Sequence, residues 1–70
     1  MNIWKIILKQ NPDIEELCWI VSNAPEEYKA KAWELLSQIL EQADIVDANW
    51  ILSNLPEEYK TKAKEILEIR

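Results

Sequence analysis

The sequence predicts an all-α fold of five short helices, and three observations predict it. Glycine is absent from all 70 residues, so tight hairpin turns and phosphate-cradling loops have no unstrained route. Leu, Ile, Glu, Lys and Ala dominate, a composition that favours helix. The chain also repeats itself: "SNAPEEYKAKAWELL" at 22–36 returns 31 residues later as "SNLPEEYKTKAKEIL" at 53–67. Trp19–Leu36 and Trp50–Leu67 are identical at 13 of 18 positions, which marks a tandem duplication. No stretch alternates with period two, so no strand is predicted.

The elements follow in order, near 2–10, 13–23, 25–42, 44–54 and 56–69. The first, "NIWKIIL", begins a partial earlier copy: "WKIIL" at Trp4 parallels "WELLS" at Trp33, and "PDIEELCWI" from Pro12 parallels "ADIVDANWI" from Ala43. The second copy carries two extra residues between Trp33 and Asp44. Asp13 and Asp44 suit the cap or first turn of the second and fourth helices. Their apolar stripes are Ile14, Leu17, Cys18 and Val21 in one copy, and Ile45, Ala48, Leu52 and Leu55 in the other. Asn23 and Asn54 fall where these helices must stop, and Asn tolerates a left-handed end without glycine. Pro25 and Pro56 then suit the first position of the next helix, with Glu26, Glu27, Glu57 and Glu58 at the positive end of its dipole.

The third helix has two apolar stripes, Tyr28, Ala32, Leu35 and Ile39 on one side and Trp33, Leu36 and Leu40 on the other. A helix apolar on two faces is sandwiched between neighbours. The fifth keeps Tyr59, Ala63 and Ile66, but Lys64 replaces Trp33, and Glu68 and Arg70 stand at the positions of Ser37 and Ile39. A terminal repeat with nothing stacked beyond it needs a polar outer face. The domain organisation expected is therefore a single domain over 1–70, with a partial repeat at 1–12 and repeat-related segments at 13–42 and 44–70.

Helix pairs repeated at about this period resemble the α-solenoid families, the HEAT-like and tetratricopeptide repeats. The likeness covers about residues 13–70 and lies in the helix-pair architecture. The tetratricopeptide pattern itself is not kept, since that repeat is longer and relies on glycine. "PEEYKAKAWE" and "AWELL" are also similar to short helical repeats strung through larger bacterial proteins. The resemblance implies stacked helix-pair repeats in a minimal right-handed α-solenoid-like bundle. No residue of the chain sets that hand. By analogy, such folds serve as protein-binding scaffolds.

Composition narrows the function classes. Thirteen acids against eight bases leave a net charge of −5, the opposite of a nucleic-acid binder. With no histidine and a single cysteine, Cys18, neither an internal disulfide nor a soft metal site can be assembled. Cys18 would need a base to act as a nucleophile and is expected to be a buried, inert thiol. The pairs Glu15–Glu16, Glu26–Glu27 and Glu57–Glu58 point about 100° apart on a helix, so they do not converge on one ion. Lys29, Lys31, Lys60, Lys62 and Lys64 read as solvated helix faces. No enzyme, cofactor, metal or catalytic residue is expected. The start of the chain is too short and interrupted for a membrane span or secretory signal, and a cytoplasmic protein is expected.

The binding candidates are aromatic and apolar. Trp19 and Trp50 fall off the main stripes of their helices, at equivalent positions of the two copies. They either pack against the neighbouring repeat or anchor a partner, since tryptophan is favoured at interface hot spots. Trp4 and Trp33 are expected to pack between layers, and Tyr28 and Tyr59 to sit mostly buried. The first helix is apolar on nearly every side, so Ile3, Trp4 and Ile7 make a sticky edge that predicts a homodimer through 3–8. The sequence therefore predicts a non-enzymatic protein–protein interaction module, with no direct nucleic-acid or membrane contact. Two alternatives stand beside it. One is a small acidic inhibitor that occludes a basic, nucleic-acid-binding surface. The other is an engineered repeat protein, against which the two-residue insertion and the lone Cys18 weigh.

Overall fold

The computed structural model describes residues 3–69. All five elements are helices: α1 (Ile3–Lys9), α2 (Ile14–Asn23), α3 (Glu26–Gln42), α4 (Ile45–Asn54) and α5 (Glu57–Ile69). Each lies within a residue or two of its predicted span. Arg70, expected in the polar end cap, lies outside the described residues.

Local chemistry sets the boundaries. Asp13 caps α2 by accepting from the Glu16 amide at 2.9 Å, and Glu16 Oε1 accepts from the Asp13 amide at 3.2 Å. This reciprocal box satisfies two helix-end donors at once. Asp44 caps α4 in the same way, accepting from the Asp47 amide at 2.8 Å. Its third residue is Asp47, one methylene shorter than glutamate, and no return bond accompanies it.

The "SNxP" stops work differently from the expectation. Asn23 and Asn54 keep helical backbone as the last residues of α2 and α4. The only non-glycine residue with positive φ among the described residues is Asn11, at 55°, between α1 and α2. The break falls one residue later, where Ala24 and Leu55 are extended, with ψ of 162° and 149°. Each precedes a proline, whose ring excludes the helical region for its predecessor. Asn23 Nδ2 instead donates to the Trp19 carbonyl at 3.0 Å, and Asn54 Nδ2 to that of Trp50 at 2.8 Å. Ser22 and Ser53 do the same one residue earlier, for the Cys18 and Asn49 carbonyls. The repeated Ser-Asn pair thus adds a side-chain donor to carbonyls one turn back, which already accept the helical bond from the same residue's amide. Pro25 stands at the cap of α3 rather than inside it, and its carbonyl accepts from Tyr28 and Lys29.

The most extensive packing joins α2 to α3; α3 also packs on α1 and α5, and α4 on α2 and α5. The result measures 38 × 21 × 17 Å. Leu17, Cys18, Ile20, Val21, Ala32, Leu36, Leu40, Ile51, Tyr59 and Ala63 form one buried cluster. Trp33 lies against it with its ring 5.2 Å from that of Tyr59. No side-chain nitrogen or oxygen among the described residues is buried without a partner.

Two stripe assignments are corrected. Leu35 is 38% exposed rather than core; the buried line of α3 is Ala32, Leu36 and Leu40, with Trp33 and Ile39 half-buried beside it. In α4 the buried residues are Ala48 and Ile51, while Ile45 and its neighbour Val46 are 74% and 72% exposed. Periodicity identifies apolar faces but not which of them receives a neighbour. Tyr28 is half-buried, whereas Tyr59 is buried.

Candidate functional site: the tryptophan face of α2 and α4

Trp19 and Trp50 project from equivalent turns of α2 and α4, opposite the positions that enter the core. In α2, Leu17, Cys18, Ile20 and Val21 go inward and leave Trp19 between them on the outer side; in α4, Ile51 goes inward beside Trp50. Trp19 is 46% exposed and Trp50 is 40% exposed. Each indole leaves close to half its surface in water, a large apolar area for a chain this small.

The two are held differently. The Trp19 ring lies 4.7 Å from that of Trp4, tilted by 41°. This contact fastens α1 to α2 and orients the Trp19 indole. Trp50 has no ring partner among the described residues. Both line one open concavity of about 550 Å³, together with Ile7, Glu15, Glu16, Ser22 and Asn54. Buried Cys18 contributes to its floor. A second hollow of about 390 Å³ adjoins it, lined by Asp13, Ile14, Glu15, Asp47 and Trp50. Glu15 and Trp50 border both.

The structure therefore brings together four of the five residues singled out in the sequence. Trp19, Trp50 and Ile7 line the concavity, and half-buried Trp4 supports it from behind. Ile3 is exposed on α1 and does not line it. In the sequence the carboxylates of the face, Glu15, Glu16, Asp44 and Asp47, belong to the acidic-inhibitor alternative rather than to the aromatic binding candidates, and one signal sets them apart. Residues 10–28 and 32–59 contain no lysine or arginine, so α2 and α4 carry acids alone.

Burial pushes the Cys18 thiol up to about 11, so at neutral pH it is a protonated thiol and a poor nucleophile. Burial, with the nearby Glu26 and Glu58 charges, likewise raises the Tyr59 hydroxyl. On α5, Lys60 pairs with Glu57 at 3.7 Å and the Lys62 ammonium lies 5.1 Å over the Tyr59 ring. Among the described residues, no three acids or thiols stand together as metal ligands, and no helix is long and apolar enough to cross a membrane. The chemistry on offer is apolar and aromatic contact, hydrogen bonding and negative charge. No protein-family model, curated protein or solved structure matches this chain.

Proposed function

We propose that the chain is a non-enzymatic protein-interaction module, a minimal solenoid-like stack of helix pairs that binds a protein partner through the α2–α4 tryptophan face. The observation that carries this reading is the exposure of both indoles. Duplicated tryptophans that served only the interior would be covered, whereas Trp19 and Trp50 flank a shared hollow with almost half their surface free. Large, rigid aromatics beside a concavity are what interface hot spots are made of. The reading is preferred to a diffuse acidic inhibitor because the carboxylates of this face surround the indoles rather than forming a row of their own.

The test is selection of binders from a random 12-residue displayed peptide library. Selected peptides should lose at least tenfold in affinity to Trp50→Ala or Trp19→Ala, with the helical circular-dichroism spectrum retained. Binders indifferent to both substitutions would remove the proposal.

Self-association through α1 belongs to the same proposal. Ile3 and Ile6 are exposed there, and α1 buries no residue fully. Sedimentation over a hundredfold concentration range should show a dimer that Ile3→Glu converts to monomer. A strict monomer throughout would exclude the sticky edge.

A further inference from the structure

The tryptophan face is charged with a single sign. Asp13, Glu15, Glu16, Asp44 and Asp47 belong to α2, α4 and their caps, and no base accompanies them. All eight bases lie elsewhere: Lys5 and Lys9 on α1, Lys29 and Lys31 on α3, Lys60, Lys62 and Lys64 on α5, and Arg70. Five of the thirteen acids, with nothing to offset them, make the α2–α4 layer alone as negative as the whole chain, at −5.

These carboxylates are not equally engaged. Asp13, Glu16 and Asp44 are tied to helix-end amides. The side chains of Glu15 and Asp47 make no hydrogen bond or ion pair among the described residues, and both border the hollow that Trp50 lines. An indole face with unengaged carboxylates at its margin attracts a cation twice over. The ring quadrupole draws charge onto its face, and a carboxylate accepts charge-assisted hydrogen bonds from the same group. A guanidinium satisfies both together: it stacks flat on an aromatic ring and presents forked donors at its edge, which an ammonium does not.

We propose that the groove receives a basic segment of a partner protein, with an arginine stacked on Trp50 between Glu15 and Asp47 and the following residues passing over Trp19. This rests on the reading of the face as a protein-binding surface and names the class of its partner. It also restricts what that face accepts, since an acidic segment meets repulsion along the whole layer.

The probes are nona-arginine, nona-lysine and nona-glutamate, with the tryptophan indole N–H resonances as reporters. Nona-arginine should shift Trp50 and Trp19 while Trp33, packed on Tyr59, stays in place. Nona-lysine should bind at least threefold more weakly, and nona-glutamate not at all. Because a chain of charge −5 attracts any polycation, the decisive comparison is between charge-matched variants. Glu15→Gln with Asp47→Asn should weaken nona-arginine at least tenfold, and Glu65→Gln with Glu68→Gln on α5 less than twofold. Equal losses in the two pairs, or an unmoved Trp50 resonance, overturn the proposal. The library selection keeps this failure apart from that of the parent reading. Binders dependent on the tryptophans but not enriched in arginine or lysine sink the basic-segment inference alone; binders independent of the tryptophans sink both.

Discussion

The two copies of the repeat, α2–α3 and α4–α5, differ far more in burial than in sequence. Ile20 and Ile51 are both fully buried, as are Ala32 and Ala63. Around this shared centre the copies diverge. Leu36 is fully buried while Leu67 is half-exposed, and Val21 is fully buried while Leu52 is not. Ile14 packs against the core, whereas Ile45 is open to water. The cause is position. α3 packs on α1, α2 and α5, while the main neighbours of α5 are α3 and α4. The chain adjusts to this on α5, where Lys64 is exposed at the position Trp33 fills in α3. On α4 it does not adjust, and Ile45 and Val46 remain bare. Duplication copies helices; burial is assigned afterwards by the number of neighbours.

That contrast can be broken or sharpened by substitution at matched positions. The largest difference is expected at Leu36 and Leu67. Leu36→Ala opens a cavity between packed helices and should cost about 2–5 kcal/mol, enough to unfold a domain this small in large part. Leu67→Ala removes a side chain already partly in water and should cost less than half as much. Urea denaturation of the two variants measures both, and equal losses would abolish the distinction between the two copies.

Cys18 and Asn49 give the next contrast. The Cys18 thiol titrates near 11 in the fold against 9.0 when unperturbed. Its protonated form favours folding, so the contribution is complete below pH 9 and disappears as pH rises from about 9 to about 11. That is on the order of 2–3 kcal/mol for a shift of this size. Exposed Asn49 cannot titrate, so the second copy has no such dependence. Denaturation midpoints of wild type and Cys18→Ala at pH 8 and pH 11 isolate the effect, because the Tyr59 and lysine titrations are common to both chains. Parallel pH profiles would contradict it.

The smallest contrast lies at the caps. Asp13→Ala should cost about 1 kcal/mol, as should Asp44→Ala; the copies differ by the return bond, which only the Asp13 amide donates. Asp47→Glu should narrow the gap by restoring the reach for a return bond. Thermal midpoints of the three variants are sufficient to decide it.

Most of the fold was legible because its signals are local. Prolines at 25 and 56, aspartates at 13 and 44 and the absence of glycine mark helix ends through backbone sterics and capping. What misled was the mechanism of the stop: Asn23 and Asn54 suggested a left-handed turn, but proline already forces the residue before it out of the helix. The apolar positions of the site were readable from periodicity, since Trp19 and Trp50 fall off their stripes. Its carboxylates were less so, because first-turn acids have a sufficient role at the helix dipole. Only the juxtaposition of α2 with α4 sets Glu15 beside Trp50.

The order of residues alone determined five helices, their capped and proline-broken ends, the duplication and the tryptophans' departure from the core stripe. All of these depend on contacts within a few residues of chain. Tertiary packing decided which copy is enclosed, that Leu35 and Ile45 face water, that Trp4 lies against Trp19 and that two indoles share one acidic hollow. Those outcomes depend on which helix lies next to which, and a repeated sequence offers both copies the same faces without saying how many neighbours each receives.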